Sequence, residues 1–325
     1  VEKYISPVDA PPSLSRRISR RAPEVKWRVE SFSRLVAEGA PGTTPDEEAG
    51  LDHDQRVEDD SGWVSVDETD LPEMVPLAAF RRGADAGNFF HAVYEHLDFT
   101  DPDPARLKEV VAGQLSSCGF DEEQWTEPVA RAVSDTLDCP LDPDLPELTL
   151  RRISNGRRLN ELAFMFPASD LPAEGPISAG RIGRIFEAHA GPRVPEGYAG
   201  RIGNLGFPAI RGFLKGFMDL VFEFDGRWYL ADYKSNHLGD TFSDYRSGTL
   251  GREMAHHHYF LQYHLYLAAL HRYLSYRLPD YDYDTHFGGV YYLFIRGMSK
   301  EKGSGFGVFR DRPGRGMVEG LSGMF

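Results

Sequence analysis

Three residues in the stretch KGFMDLVFEFDGRWYLADYKSN, from Lys215 to Asn236, are of types that handle protons and cations: Asp219, Asp232 and Lys234. Both acids sit among apolar and aromatic residues, where a valine would serve a buried strand as well. Between them lies Asp225-Gly226, a dipeptide favoured in type I′ turns because both central positions need positive φ. A two-residue loop there sets Phe224 opposite Arg227. Counting back along both strands then sets Asp219 opposite Asp232, with Cβ atoms about 4.5 to 5.5 Å apart. Period-two alternation puts Lys234 on the Asp232 face, diagonal to Asp219. Two carboxylates held in this way share a proton or share a cation, and a neighbouring ammonium favours leaving both ionised. A divalent metal is the natural occupant. A solvated hairpin with both acids pointing outwards is the alternative. On the paired reading, loss of Asp232 relieves a repulsion and costs the fold little.

The elements around this hairpin can be read from their periodicity. VESFSRLVAEG reads as a strand end or a helix cap leading into a short helix. RRGADAGNFFHAVYEHLDF reads as a helix capped by Asp85, with an apolar stripe of Phe89, Phe90, Val93, Tyr94 and Leu97 and with His91 inside it. Residues 101–145 look helical and polar, and RRLNELAFMFPA alternates like a strand with Glu161 among apolar neighbours. REMAHHHYFLQYHLYLAALHRYLSYRL is the longest helical pattern, with His258, Gln262 and Tyr266 forming a polar row at i, i+4 and i+8. The consecutive His256, His257 and His258 point in different directions on such a helix and cannot converge on one ion. HFGGVYYLFIRGM reads as a further buried strand. GRIGNLG is a weak match to a dinucleotide loop, and no GxxxxGK[ST] phosphate loop occurs.

The chain has 325 residues, 41% of them hydrophobic, enough for one large or two modest cores. Its two cysteines are too few for a disulfide framework or a four-cysteine metal site, which favours a cytoplasmic setting. No apolar run reaches transmembrane length, so no membrane partner is expected. The chain opens on Val1 instead of Met, as a fragment or a processed chain would. The net charge of −14 is concentrated: residues 41–80 carry 12 acidic groups and one basic group. That window reads as a disordered acidic linker. It divides a basic N-terminal segment and the start of the domain (1–40) from the main body (81–325). The acidity is therefore mostly linker, and DNA binding is not excluded.

GFMDLVFEFDGRWYLADYKSNHLG, with LQYHLYLAALHRYL and YDYDTHFGGVYYLFIRG, resembles the C-terminal nuclease domains of RecB-type helicase-nuclease subunits. These belong to the PD-(D/E)XK, restriction-endonuclease-like superfamily. The resemblance is strongest over roughly residues 200–300 and extends upstream through GNFFH. It implies an α/β core with a central mixed sheet flanked by helices, preceded by an N-terminal extension. It also implies Mg²⁺-dependent hydrolysis of DNA phosphodiester bonds, of the exodeoxyribonuclease V type, in double-strand-break repair and recombination. The implied partners are single-stranded or unwound duplex DNA and RecC-like and RecD-like subunits. The family's motif residues fall on His91, Glu161, Asp219, Asp232, Lys234, Gln262 and Tyr266. By that resemblance His91, Asp219, Asp232 and the carbonyl of Tyr233 ligate Mg²⁺, while Lys234 orients the attacking water or stabilises charge on the phosphate. Glu161 falls within the catalytic set, and Gln262 and Tyr266 place the strand being cut. Carboxylates and a carbonyl suit Mg²⁺, and the imidazole makes Mn²⁺ acceptable too. A non-catalytic DNA-binding or scaffold module is the alternative, and the intact acids and lysine argue against it.

Overall fold

The computed structural model describes residues 28–37, 73–168, 177–207, 209–210 and 212–325. Strand β1 (Arg28–Ser31) runs directly into helix α1 (Phe32–Ala37), as the sequence pattern suggests. In α2 (Ala84–His96) Phe89, Phe90, Val93 and Tyr94 are all buried. The helix starts two residues earlier than expected. Gly83 is its N-cap, and Asp85 lies inside the first turn, ion-paired to Arg81 at 2.8 Å. Helices α3 (Pro104–Ser117) and α4 (Glu122–Asp138) follow. Each is capped by an aspartate, Asp103 or Asp121, whose side chain accepts a first-turn N–H. Their buried faces repeat at helical spacing, with Leu107, Val111 and Leu115 on one and Val129, Val133 and Leu137 on the other.

The rest of the chain adds five strands to β1, completing a six-stranded mixed sheet, and supplies the second layer of helices. Strand β2 (Arg158–Ala168) is followed by α5 (Ala179–His189) and α6 (Tyr198–Gly203). The GRIGNLG stretch is the end of α6 and its exit turn, not a dinucleotide loop between a strand and a helix. Next come β3 (Gly212–Phe224) and β4 (Arg227–Lys234), then α7 (Ser247–His256) and α8 (Tyr259–Arg277). The short α9 (Tyr283–His286), β5 (Phe287–Phe294), β6 (Val308–Asp311) and α10 (Arg315–Ser322) complete the fold. The strand order is β1-β3-β4-β5-β6, with β2 paired to β3 along its other side. β1/β3 and β4/β5 are parallel, and the remaining pairs are antiparallel. Helices α5, α8 and α10 cover one face of the sheet and α2 to α4 the other, each over its own apolar core. No helix among the described residues is long and apolar enough to cross a membrane.

The central hairpin has the expected turn. Asp225 and Gly226 have φ of 50° and 75°, and the ladder runs from Phe224↔Arg227 to Leu220↔Ala231 in the expected register. Below that point the strict two-residue alternation fails. Leu214 and Met218 of β3 enter the α8-side core, whereas Leu220 and Phe222 enter the α2-side core. β2 shifts at the same level: Leu159 and Leu162, three residues apart, both pack towards α8. The two strands pair without interruption except between Asn160↔Leu220 and Leu162↔Met218, a gap occupied by Glu161 and Asp219. Glu161 has a φ of 49°, and this left-handed residue lets the pleat reverse there.

Two further differences from the sequence reading have clear causes. The long helical pattern is split, because His258 adopts a φ of 56° between α7 and α8. Tyr198 of α6 accounts for the restart: its hydroxyl accepts the Leu261 N–H at 3.3 Å, capping a free amide of the first turn of α8. The folded body also reaches upstream of the expected boundary at residue 81. Val75, Leu77 and Phe80 are buried, and Val75 N–H donates to the Asp240 carbonyl. Arg296, 1% exposed, fixes this segment by donating to the carbonyls of Leu77, Phe80, Arg81 and Ser235. The basic N-terminal tract and the acidic window up to residue 72 lie outside the described residues.

Candidate active site

The chemistry-bearing residues collect where the β3/β4 ladder ends. Asp219 follows Met218 at the pleat reversal, so its carboxylate points into neither core. Its Oδ2 accepts the Tyr233 N–H at 2.9 Å, and the same oxygen lies 3.5 Å from His91 Nδ1 of α2. Glu161 reaches the same point from β2, with Oε1 3.9 Å from His91 Nδ1. One donor atom from each of His91, Glu161 and Asp219 lies within 4.8 Å of the other two. Nitrogen and carboxylate oxygens at that spacing suit a divalent cation. Tyr233 adds a backbone oxygen. In an extended strand a residue's N–H and C=O leave by the same edge, so its carbonyl opens on the side where Asp219 meets its N–H. Burial, with Tyr94 stacked 4.2 Å away, holds the Tyr233 phenol well above the usual range.

Asp232 and Lys234 stand on the α8 face of β4, in phase with Leu230. Lys234 Nζ lies 2.8 Å from Asp232 Oδ2, and both side chains are almost wholly buried. The ammonium sits 4.5 Å from the centre of the Tyr259 ring and 5.7 Å from that of Tyr292, so two aromatic faces help to hold it. Tyr292 is next to Asp232 in the parallel β4/β5 register, and its hydroxyl donates to Gln262 Oε1 at 2.7 Å. Gln262 is 2% exposed and Tyr266 9%, the latter edge-on to Phe164. The polar row on α8 therefore faces inward, and Gln262 reaches the site through Tyr292 and Lys234.

The structure thus gathers His91, Glu161, Asp219 and the Tyr233 backbone in one group. Asp232 and Lys234 form an adjoining buried pair, and Gln262 supports it from behind. Tyr259 and Tyr292 were not singled out from the sequence. The signal for Tyr292 lay in the β4/β5 pairing, which a single strand does not reveal.

Comparisons with known proteins give the family of the chain. Residues 63–313 match the PD-(D/E)XK nuclease superfamily. The chain is 37% identical to the RecBCD enzyme subunit RecB of Escherichia coli K12 over 313 residues, covering 96% of this chain and 24% of that protein. It is 36% identical to the RecB subunit of Mycobacterium tuberculosis, covering 97% of this chain and 30% of that one. With the RecB subunit of Haemophilus influenzae the identity is 32%, over 93% of this chain and 24% of the relative. The chain therefore spans about a quarter to a third of the length of these relatives. With the match reaching across both helical layers and every strand from β2 to β6, the chain belongs to the PD-(D/E)XK nuclease superfamily.

Proposed function

We propose that this chain is a Mg²⁺-dependent deoxyribonuclease domain, with Mn²⁺ accepted, of a RecBCD-type helicase-nuclease that acts in double-strand-break repair and recombination. The convergence of His91, Glu161 and Asp219 beside the buried Asp232–Lys234 pair carries this reading. His91, Asp219, Asp232 and the Tyr233 carbonyl would hold the cation, with Glu161 close enough to join them or to bind one of its waters. A divalent cation supplies Lewis-acid polarisation of the scissile phosphate and a more acidic water.

The protein's own groups provide the rest. Tyr233 N–H fixes the Asp219 carboxylate, so the charge that must face the cation is oriented before it arrives. Lys234 supplies a fixed positive charge beside the phosphate as negative charge develops on it. Tyr259 and Tyr292 limit the freedom of the ammonium, and Gln262 keeps Tyr292 in place. Gln262 is on this account a positioning residue. Tyr266 braces β2 through Phe164, and in this reading helps to place the strand being cut. RecC-like and RecD-like subunits and a motor would deliver unwound DNA.

The test is cleavage of linear single-stranded and duplex DNA by the purified chain, with Mg²⁺ and with chelator. Asp219→Asn should lower the rate by about 100-fold or more, on the scale of losing one transition-state stabiliser. Cation-independent cleavage, or full activity in Asp219→Asn, would overturn the assignment. A folded chain that binds DNA without cutting it under any cation would favour a non-catalytic module.

A further inference from the structure

The break between α7 and α8 creates a second convergence of ligand-type side chains. Glu253, His256 and His257 occupy positions i, i+3 and i+4 at the end of α7, with one ligand atom from each within 4.8 Å of the others. His256 and His257 diverge from each other as consecutive residues do, but each lies one turn from Glu253, and at the frayed end of α7 both rings reach its carboxylate. Glu253 Oε1 lies 3.1 Å from His257 Nε2 and also accepts from Asn236 Nδ2 at 3.0 Å. The His256 and His257 rings meet edge to face at 4.7 Å, and His257 stacks on Tyr259 at 5.3 Å. Because His258 turns the chain away, His256 is exposed and the group opens to solvent.

Two imidazoles and one carboxylate are a softer set than the carboxylate-rich group beside Asp219. Tetrahedral Zn²⁺ with bonds of about 2.0 to 2.1 Å needs donor atoms roughly 3.3 Å apart and is often held by three protein ligands and one water. The Glu253–His257 separation already meets that spacing. We propose that Glu253, His256 and His257 form a second metal site for a zinc-class d-block cation, oriented from behind by Asn236. Asn236 lies two residues after Lys234 and also donates to the Tyr259 hydroxyl at 3.3 Å. The site thereby ties the end of α7 to the loop leaving the strand that carries Asp232 and Lys234. Its existence does not rest on the nuclease reading.

The experiment is a Zn²⁺ titration of the full chain against a chromogenic competitor, in the wild type and in Asp219→Asn. Thermal melting of each variant checks its folding. Both proteins should bind a Zn²⁺ ion that millimolar Mg²⁺ does not displace. His256→Ala, which removes an exposed ligand without opening a core, should weaken this binding by more than about tenfold. Asn236→Ala should weaken it by about 10- to 100-fold, the usual cost of losing a group that orients a metal ligand. Absence of Zn²⁺ binding in the wild type, or an affinity unchanged by His256→Ala, would overturn the proposal. DNA cleavage does not enter the readout, so failure of the nuclease assignment is seen separately.

Discussion

Replacing Glu161 by glycine and by alanine should separate its backbone role from its carboxylate. At an ordinary strand position glycine is less stable than alanine by about 0.5 to 1 kcal/mol, because the unfolded chain gains freedom. Glu161 sits at φ 49°, where a Cβ costs about 1 to 2 kcal/mol against the following carbonyl. The second effect exceeds the first, so Glu161→Gly should be more stable than Glu161→Ala by about 0.5 to 1 kcal/mol. Both variants lose the same carboxylate, so its repulsion with Asp219 cancels in the comparison. Urea unfolding followed by circular dichroism reads the difference as a shift in midpoint at constant slope. In melting terms it is roughly 1 to 4 °C. An alanine variant as stable as the glycine variant, or more so, would refute the claim that this residue carries the pleat reversal.

Three other expectations follow from the same geometry. Asp232→Ala should cost about 3 to 5 kcal/mol in urea unfolding, because it leaves the buried Lys234 ammonium without its carboxylate. This reverses the sequence-based expectation of a relieved repulsion, and a loss below about 1 kcal/mol would show that the pair is not closed in solution. Burial holds His264 at about 4, so the ring stays neutral in the fold while the unfolded chain takes up a proton near the usual 6.5. Its contribution is complete above about pH 7 and drains as pH falls from about 6.5 to 4, by about 3 kcal/mol in all. His264→Phe should remove that portion of the slope; identical wild-type and variant slopes would contradict it. Finally, millimolar Mg²⁺ should raise the melting temperature of the wild type but not that of Asp219→Asn, since only the folded state assembles the ligands. Equal shifts in the two proteins would place the stabilising ion elsewhere.

The central hairpin was legible because its information is local. Asp225-Gly226 dictates the turn, the turn dictates the register, and the ladder follows it to Leu220↔Ala231. The stripe on α2 and the strand character of β2 were legible for the same reason. What the sequence hid was set by distant partners. The opposition of Asp219 and Asp232 presumed unbroken alternation, but the β2/β3 pleat reverses at Glu161, and Asp219 turns its carboxylate to the Tyr233 N–H. The break between α7 and α8 is stabilised by Tyr198, some 60 residues earlier in the chain, which periodicity within the pattern cannot report. The row through Gln262 was visible as polar, yet only the β5 neighbour Tyr292 explains why it faces inward. Arg296 gave no signal at all, since its four acceptors are backbone carbonyls on two remote segments.

The most direct test of the account is an anomalous difference map from crystals of the chain soaked in Mn²⁺. The account predicts a peak within bonding distance of His91 and Asp219 and facing the Tyr233 carbonyl, with Asp232 as a further ligand and Glu161 at its edge. A soaked crystal with no peak in that group, or with its strongest peak away from Asp219, would contradict the assignment of this cluster as the metal centre.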